Sequence, residues 1–296
     1  MSHSFSQAGW DFPWWITMVI IGAVNYVVAI FLFRKSMKQG KQEPNNAQYF
    51  LLLRVLGLVF ITVSFYRTIF VSSYPNRLAW FDTIFNSPFV IRSLAFFAEL
   101  SFIGVIAVVL KRFSNEVLYD QKYTLITKLP FVSFGCIALA QFFAYGGLIG
   151  QSLTQFAIEE TLWAVAFLCI VPIIIVGFKE MKHQQLTEKS YKTFLRIMMI
   201  WCCGYLTFQC FFALPFMHYA DLAQDIGRIV PPDALAQSIF NFTATRDFDK
   251  WGGLGFFIWH SGYFSICAWM VLYFMTAPRK QNPSNISQVS FEQLNN

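Results

Sequence analysis

Seven apolar runs, each about twenty residues long, divide this chain, and a run of that length crosses the hydrocarbon core of a bilayer as a helix. They lie at roughly 14–33, 50–71, 88–110, 129–149, 158–178, 194–215 and 254–276. In lipid every backbone N–H and C=O must be satisfied within the protein, which leaves helices for segments of this kind. The chain is therefore expected to be all-α, a seven-transmembrane-helix bundle. A short outer N-terminal tail at 1–13 precedes it and a polar, disordered cytoplasmic tail at 277–296 follows. Pro130 opens the fourth span, Pro172 predicts a kink in the fifth, and Pro215 ends the sixth.

The third run breaks its own pattern. It carries Arg92 and Glu99, seven residues apart and so on one face of a helix. A charge at that depth costs about 2.5–3.5 kcal/mol on insertion scales. It needs a partner, a water-filled cavity or a task.

Lysine and arginine in the loops set the expected orientation. The side holding the loops after spans one, three and five, with the C-terminal segment, carries fourteen, among them Arg34, Lys111, Lys179 and Arg279, against four on the other side, Arg77, Arg228, Arg246 and Lys250. That predicts an outer N-terminus and a cytoplasmic C-terminus. Trp10, Trp14, Trp15, Trp80, Trp163, Trp251 and Trp259 all fall near the outer interface, as an aromatic belt does. The segment 216–253 is the one long connection. It reads as an outer lid with short helices at Asp221–Ile229 and at Asp233–Phe240, the second capped by Asp233.

Composition narrows the function classes. Residues are 56% hydrophobic and 13% charged, with 35 phenylalanines, and the net charge of +6 comes from short loops rather than a nucleic-acid-binding stripe. The bilayer is thus the expected partner, in a bacterial inner membrane or a plasma membrane, with no nucleic acid. All six cysteines sit in apolar runs at no metal-ligand spacing and read as small buried hydrophobes. Only four histidines occur, with no HExxH or HxxxH pair, so neither metal nor cofactor is expected. The last span, Leu254 to Met275, has no lysine to form a retinal Schiff base.

Polar residues inside the spans gather toward the outer side. At 1.5 Å per residue, Arg67 and Arg92 lie roughly 6 Å down, His260 and Gln209 about 9 Å, Gln141 about 12 Å, and Asn25 and Glu99 about 16 Å. Glu159 and Glu160 open span five. Gln141, Gln209 and Asn25 suit hydrogen bonding between helices, and Glu160 suits a solvated edge. This distribution predicts an outward-facing polar pocket floored by Glu99, able to bind a small anion or anionic lipid. Arg67, Arg92, Glu159 and Gln209 are its candidate ligand-binding residues. Arginine suits carboxylate and phosphate because its planar fork meets two oxygens at once. Glu99 would hold Arg92 or carry a proton. His260, oriented by Glu159, would be the general acid or base if the protein modifies lipids, which makes His260 and Glu99 the catalytic candidates.

Two alternatives stand beside this reading. Tyr49–Val55 echoes Tyr191–Ile197, and Ala95-Phe96-Phe97 echoes Gly255-Phe256-Phe257. That pattern fits a three-plus-one-plus-three repeat and a small-molecule transporter. The other alternative is a membrane sensor or accessory subunit without catalysis.

Overall fold

The computed structural model describes residues 9, 11–186, 188–220, 222–225 and 229–279. Seven of its helices are long and apolar enough to cross a membrane, and they form the multi-pass bundle of an integral membrane protein. Six run consecutively: α1 (Asp11–Gln42), α2 (Ala47–Ile69), α3 (Pro88–Val117), α4 (Leu129–Gly150), α5 (Leu153–His183) and α6 (Lys189–His218). A short helix, α7 (Ala234–Phe240), lies in the long connection, and α8 (Gly253–Phe274) is the seventh span.

Short loops make the helices alternate in direction. One end, the basic end, carries 43–46, 118–128, 184–188 and 277–279; the other, the lid end, carries 70–87, 151–152 and the long connection. The core follows from which faces are apolar on both sides. α3 is the central helix, and its Phe102, Ile103, Ile106, Val109, Leu110 and Phe113 are buried against Phe60 of α2, Phe167 and Ile170 of α5, and Phe194 and Leu195 of α6. α4 and α5 pack closely where Gly147 has no side chain: a Cβ there would meet the Phe156 ring at 2.9 Å.

Several details depart from the linear reading. α5 runs unbroken through Pro172. α6 continues past Pro215 to His218 because its last ten residues, Gln209–His218, wind as a π-helix, and α8 has a second such segment at Tyr263–Cys267. In the long connection, Leu222–Asp225 is one 3-10 turn, whereas 221 and 226–228 of the expected first helix lie outside the described residues. Asp233 precedes α7 without capping its backbone; its carboxylate instead accepts from Gln237 Nε2 at 2.9 Å. A small sheet joins the two lid-end connections: β1 (Ser72–Ser73) pairs antiparallel with β2 (Leu78–Ala79), and β2 pairs parallel with β3 (Thr243–Ala244). Two-residue strands leave no trace in a hydropathy pattern.

At the opposite end the first residues of the expected tail are fastened. Tyr49 Oη donates to Pro278 O at 2.7 Å, and Arg279 pairs with Glu43 at 2.7 Å. Residues 280–296 of that tail, and 1–8 and 10 of the N-terminal one, lie outside the described residues.

Candidate functional site

The lid half of the bundle gathers the in-span polar residues of six helices. α3 aims Arg92 and Glu99 at the same interior, as their spacing requires. The guanidinium grips the carboxylate with two bonds, Nη1 to Oε1 at 2.9 Å and Nη2 to Oε2 at 3.2 Å. α4 brings Gln141 against both partners. Its Oε1 accepts from Arg92 Nη2 at 2.5 Å, and its Nε2 donates to Glu99 Oε2 at 3.0 Å and to Ile137 O at 3.1 Å. α5 adds Glu159, 3.4 Å from Arg92 Nη1. Arg92 is 1% exposed and Gln141 0%. A buried ion pair survives desolvation when its remaining donors and acceptors are met. Gln141 meets Arg92 Nη2 and Glu99 Oε2 at once, while Arg92 Nε has no partner among the described residues.

Glu160 is drawn inward rather than solvated. It accepts from Gln209 Nε2 at 2.8 Å, so the first residue of the α6 π-helix closes a bridge to α5. His260 on α8 is 3% exposed and sits among rings: Trp14 at 5.3 Å, Phe256 at 5.6 Å and Phe264 at 4.5 Å. Glu159, expected beside it, reaches Arg92 instead.

Arg67 differs from every other member. It is buried, and among the described residues no carboxylate or carbonyl bonds its guanidinium. Its surroundings are aromatic faces: Phe264 at 5.0 Å, Tyr74 at 5.6 Å and Tyr263 at 5.9 Å. Tyr74 stands between the two arginines, its ring 5.6 Å from Arg92 as well. Burial raises the Tyr74 phenol above its usual range, Arg67 and Arg92 pulling the other way, so it stays a proton donor. Tyr74 Oη, Tyr263 Oη and His260 Nδ1 are all buried and make no hydrogen bond. The cluster thus holds one unbonded guanidinium and three buried polar atoms that have no partner among the described residues.

A plug of rings covers these residues at the lid end. Trp14 meets Trp80 at 5.5 Å and Phe257 at 4.6 Å, and Trp80 meets Trp251 at 5.8 Å. Trp80, Trp251 and Phe257 are buried. The connections are tied down around the plug. Asn86 donates to Val71 O at 2.7 Å, Ser87 Oγ to Ile239 O at 2.7 Å, and Arg77 Nη2 to Ile149 O at 3.1 Å. Asp225 caps α5, accepting from Ser152 Oγ at 2.8 Å, Leu153 N at 3.1 Å and Thr154 N at 2.7 Å. Its partial burial would raise the carboxyl, but these bonds outweigh it and hold the group below the usual carboxylate range.

The structure thus brings Arg92, Glu99, Gln141 and Glu159 into contact. Arg67 and His260 lie against the same rings, and Gln209 stands one step away through Glu160. Tyr74 and Tyr263 were not among the sequence-derived candidates. Tyr263 follows His260 by three and Trp259 by four, a spacing that puts all three near one side of α8, and that was its only signal. Tyr74 lies in a connection and had none. The echoed arginines end in different settings: Arg54 is buried and donates to Met275 O at 3.2 Å, whereas Arg196 is exposed. A cavity of about 350 Å³, lined by residues such as Ser114, Asp120, Gln121 and Thr124, lies at the basic end, away from this cluster.

No protein-family model, curated protein or solved structure matches this chain.

Proposed function

We propose that the protein binds a carboxylate or phosphate anion at Arg67, within a multi-pass membrane bundle whose lid end faces outward. The observation that carries this reading is the unbonded guanidinium of the buried Arg67 in a ring-lined site, flanked by the idle Tyr74, Tyr263 and His260 atoms. A buried charge without a partner is costly, and an anion with two oxygens would relieve it. Arg92 is the positioning arginine, committed to Glu99, Gln141 and Glu159, and it holds Tyr74 in place. Gln209 acts through Glu160. A binding site is favoured over an acid–base catalyst because the carboxylates near His260 are engaged by Arg92 and Gln209, leaving no base to orient the imidazole.

Formal charge adds a condition. Arg67 and Arg92 face Glu99, Glu159 and Glu160, so an anion arrives in a neighbourhood that is already net negative when every carboxyl is ionised. Binding with a proton is therefore favoured over binding without one.

The test is thermal unfolding of purified protein with and without inorganic phosphate or a short-chain carboxylate. A ligand at a hundred times its Kd stabilises by about 2.7 kcal/mol, and the wild type should show a rise in Tm that is larger in acid than at neutral pH. Arg67→Leu should lose that rise while folding normally. A wild type that ignores every anion tried refutes the proposal.

A further inference from the structure

The lid half is sealed above and thinly closed at one side. Above Arg67 and His260 lies the plug, in which Trp80, Trp251 and Phe257 are buried and Trp14 is partly buried. At the side, the helices α6 and α8 are joined near the basic end, where the Phe194 and Phe274 rings lie 5.3 Å apart and Tyr273 Oη donates to Ser190 O at 3.1 Å. Toward the lid end, among the described residues, no ring contact or hydrogen bond joins them. Both helices wind there as π-helix, at Gln209–His218 and at Tyr263–Cys267. Such segments widen a helix and often mark functional sites.

Two tyrosines close this seam. Tyr205 of α6 and Tyr263 of α8 flank it, each partly exposed. Outside them stand exposed rings: Trp259, 45% exposed, stacks on Tyr263 at 5.5 Å, and Phe208 is 38% exposed. Inside them is Arg67, 5.9 Å from the Tyr263 ring. A single aromatic layer therefore separates the lipid-facing surface from the unbonded guanidinium. Arg67 lies in the last turn of α2, at its lid end.

We infer that the anion at Arg67 is the headgroup of an anionic lipid that arrives from the bilayer through the α6–α8 seam, its acyl chain lying along Trp259, Phe208 and their neighbours. The inference rests on the anion-site reading and names the class of ligand. A free anion would have to cross the ring plug. A lipid needs only to turn aside Tyr205 and Tyr263, and it leaves its chain in the hydrocarbon.

The experiment uses the full chain in phosphatidylcholine nanodiscs with phosphatidic acid carrying a photoactivatable group on its acyl chain. After irradiation, labelled peptides should come from the Trp201–Phe212 and Phe256–Ile266 stretches. Unlabelled phosphatidic acid should compete, and inorganic phosphate should compete only at much higher concentration. Arg67→Leu should lower labelling by roughly tenfold or more, the size of one charge-assisted hydrogen bond, and Arg67→Lys should restore part of it. An unchanged unfolding transition confirms that each variant folds. Arg67-dependent phosphate binding with labels scattered over the other helices overturns the lipid route and leaves the anion site standing. Labelling and phosphate binding that are both indifferent to Arg67 overturn the two together.

Discussion

The two ends of this bundle use the same residue types and treat them differently. At the basic end every arginine in the packed network has an oxygen to bond. Arg112 pairs with Glu116 and donates to Asn46 Oδ1 at 3.0 Å, Arg279 pairs with Glu43, and Arg54 donates to Met275 O. Rings stack on these groups too, Tyr49 on Arg112 and Phe50 on Arg279. The side chains of Arg112 and Arg279 are 30% and 26% exposed, so water shares the load. In the lid half Arg92 is buried and bonds Glu99 and Gln141 through its two Nη atoms, its Nε having no partner among the described residues, whereas Arg67 is buried and has only rings. A half-wet network of paired arginines locks helices together, and it is at the unbonded Arg67 that we propose an anion binds.

Cutting each network separates these roles. The largest effect is expected from Arg92→Leu, which strands Glu99 and Glu159 without a counter-charge and removes the donor that Gln141 accepts. Breaking a buried pair in this way costs about 3–5 kcal/mol, and reversible unfolding in detergent, or loss of folded protein on expression, measures it. A variant of wild-type stability would show that the lid-half charges are not coupled as described. Set against it, Arg67→Leu should be neutral or stabilising in the absence of an anion, because it removes an unbonded charge and breaks no bond.

A smaller effect is expected at the lid connection. Asp225→Ala removes the acceptor for Leu153 N and Thr154 N at the start of α5, leaving Ser152 Oγ on Gln155 N, and should cost about 1 kcal/mol. The carboxyl is depressed in the folded protein, so its contribution is present above the ordinary carboxylate pKa and is lost as the pH falls through the folded value. The variant should accordingly lose part of the acid-side decline in stability seen for the wild type. A parallel decline in both would show that the cap does not titrate with folding. The smallest effect is expected at the basic end. Glu43→Gln breaks a partly exposed pair with Arg279 and should cost less than about 1 kcal/mol, with no influence on anion binding. A change in anion response there would erase the distinction between the two ends.

Much of the architecture was legible because the bilayer is a severe solvent. Long apolar runs had to be helices, and short charged loops had to alternate them. The clustering of Arg92, Glu99 and Glu159 could be anticipated from depth alone, since a charge in a span must find company. The inward turn of Glu160 could not, because a carboxylate at a helix start reads equally well as solvated. It took Gln209 across the α5–α6 boundary to draw it in. Gln141 was legible as a bridge between helices, but not as the group that completes the Arg92–Glu99 pair.

From the sequence alone come the seven spans, their alternation and the gathering of ionisable residues in one half, since each depends on local hydropathy and on distance along a helix axis. Only the tertiary structure decided that Arg92 meets carboxylates and Gln141 while Arg67 meets rings. Those outcomes depend on how each helix is rotated about its axis and on where the π segments shift that rotation, and neither is written in the hydropathy of a single span.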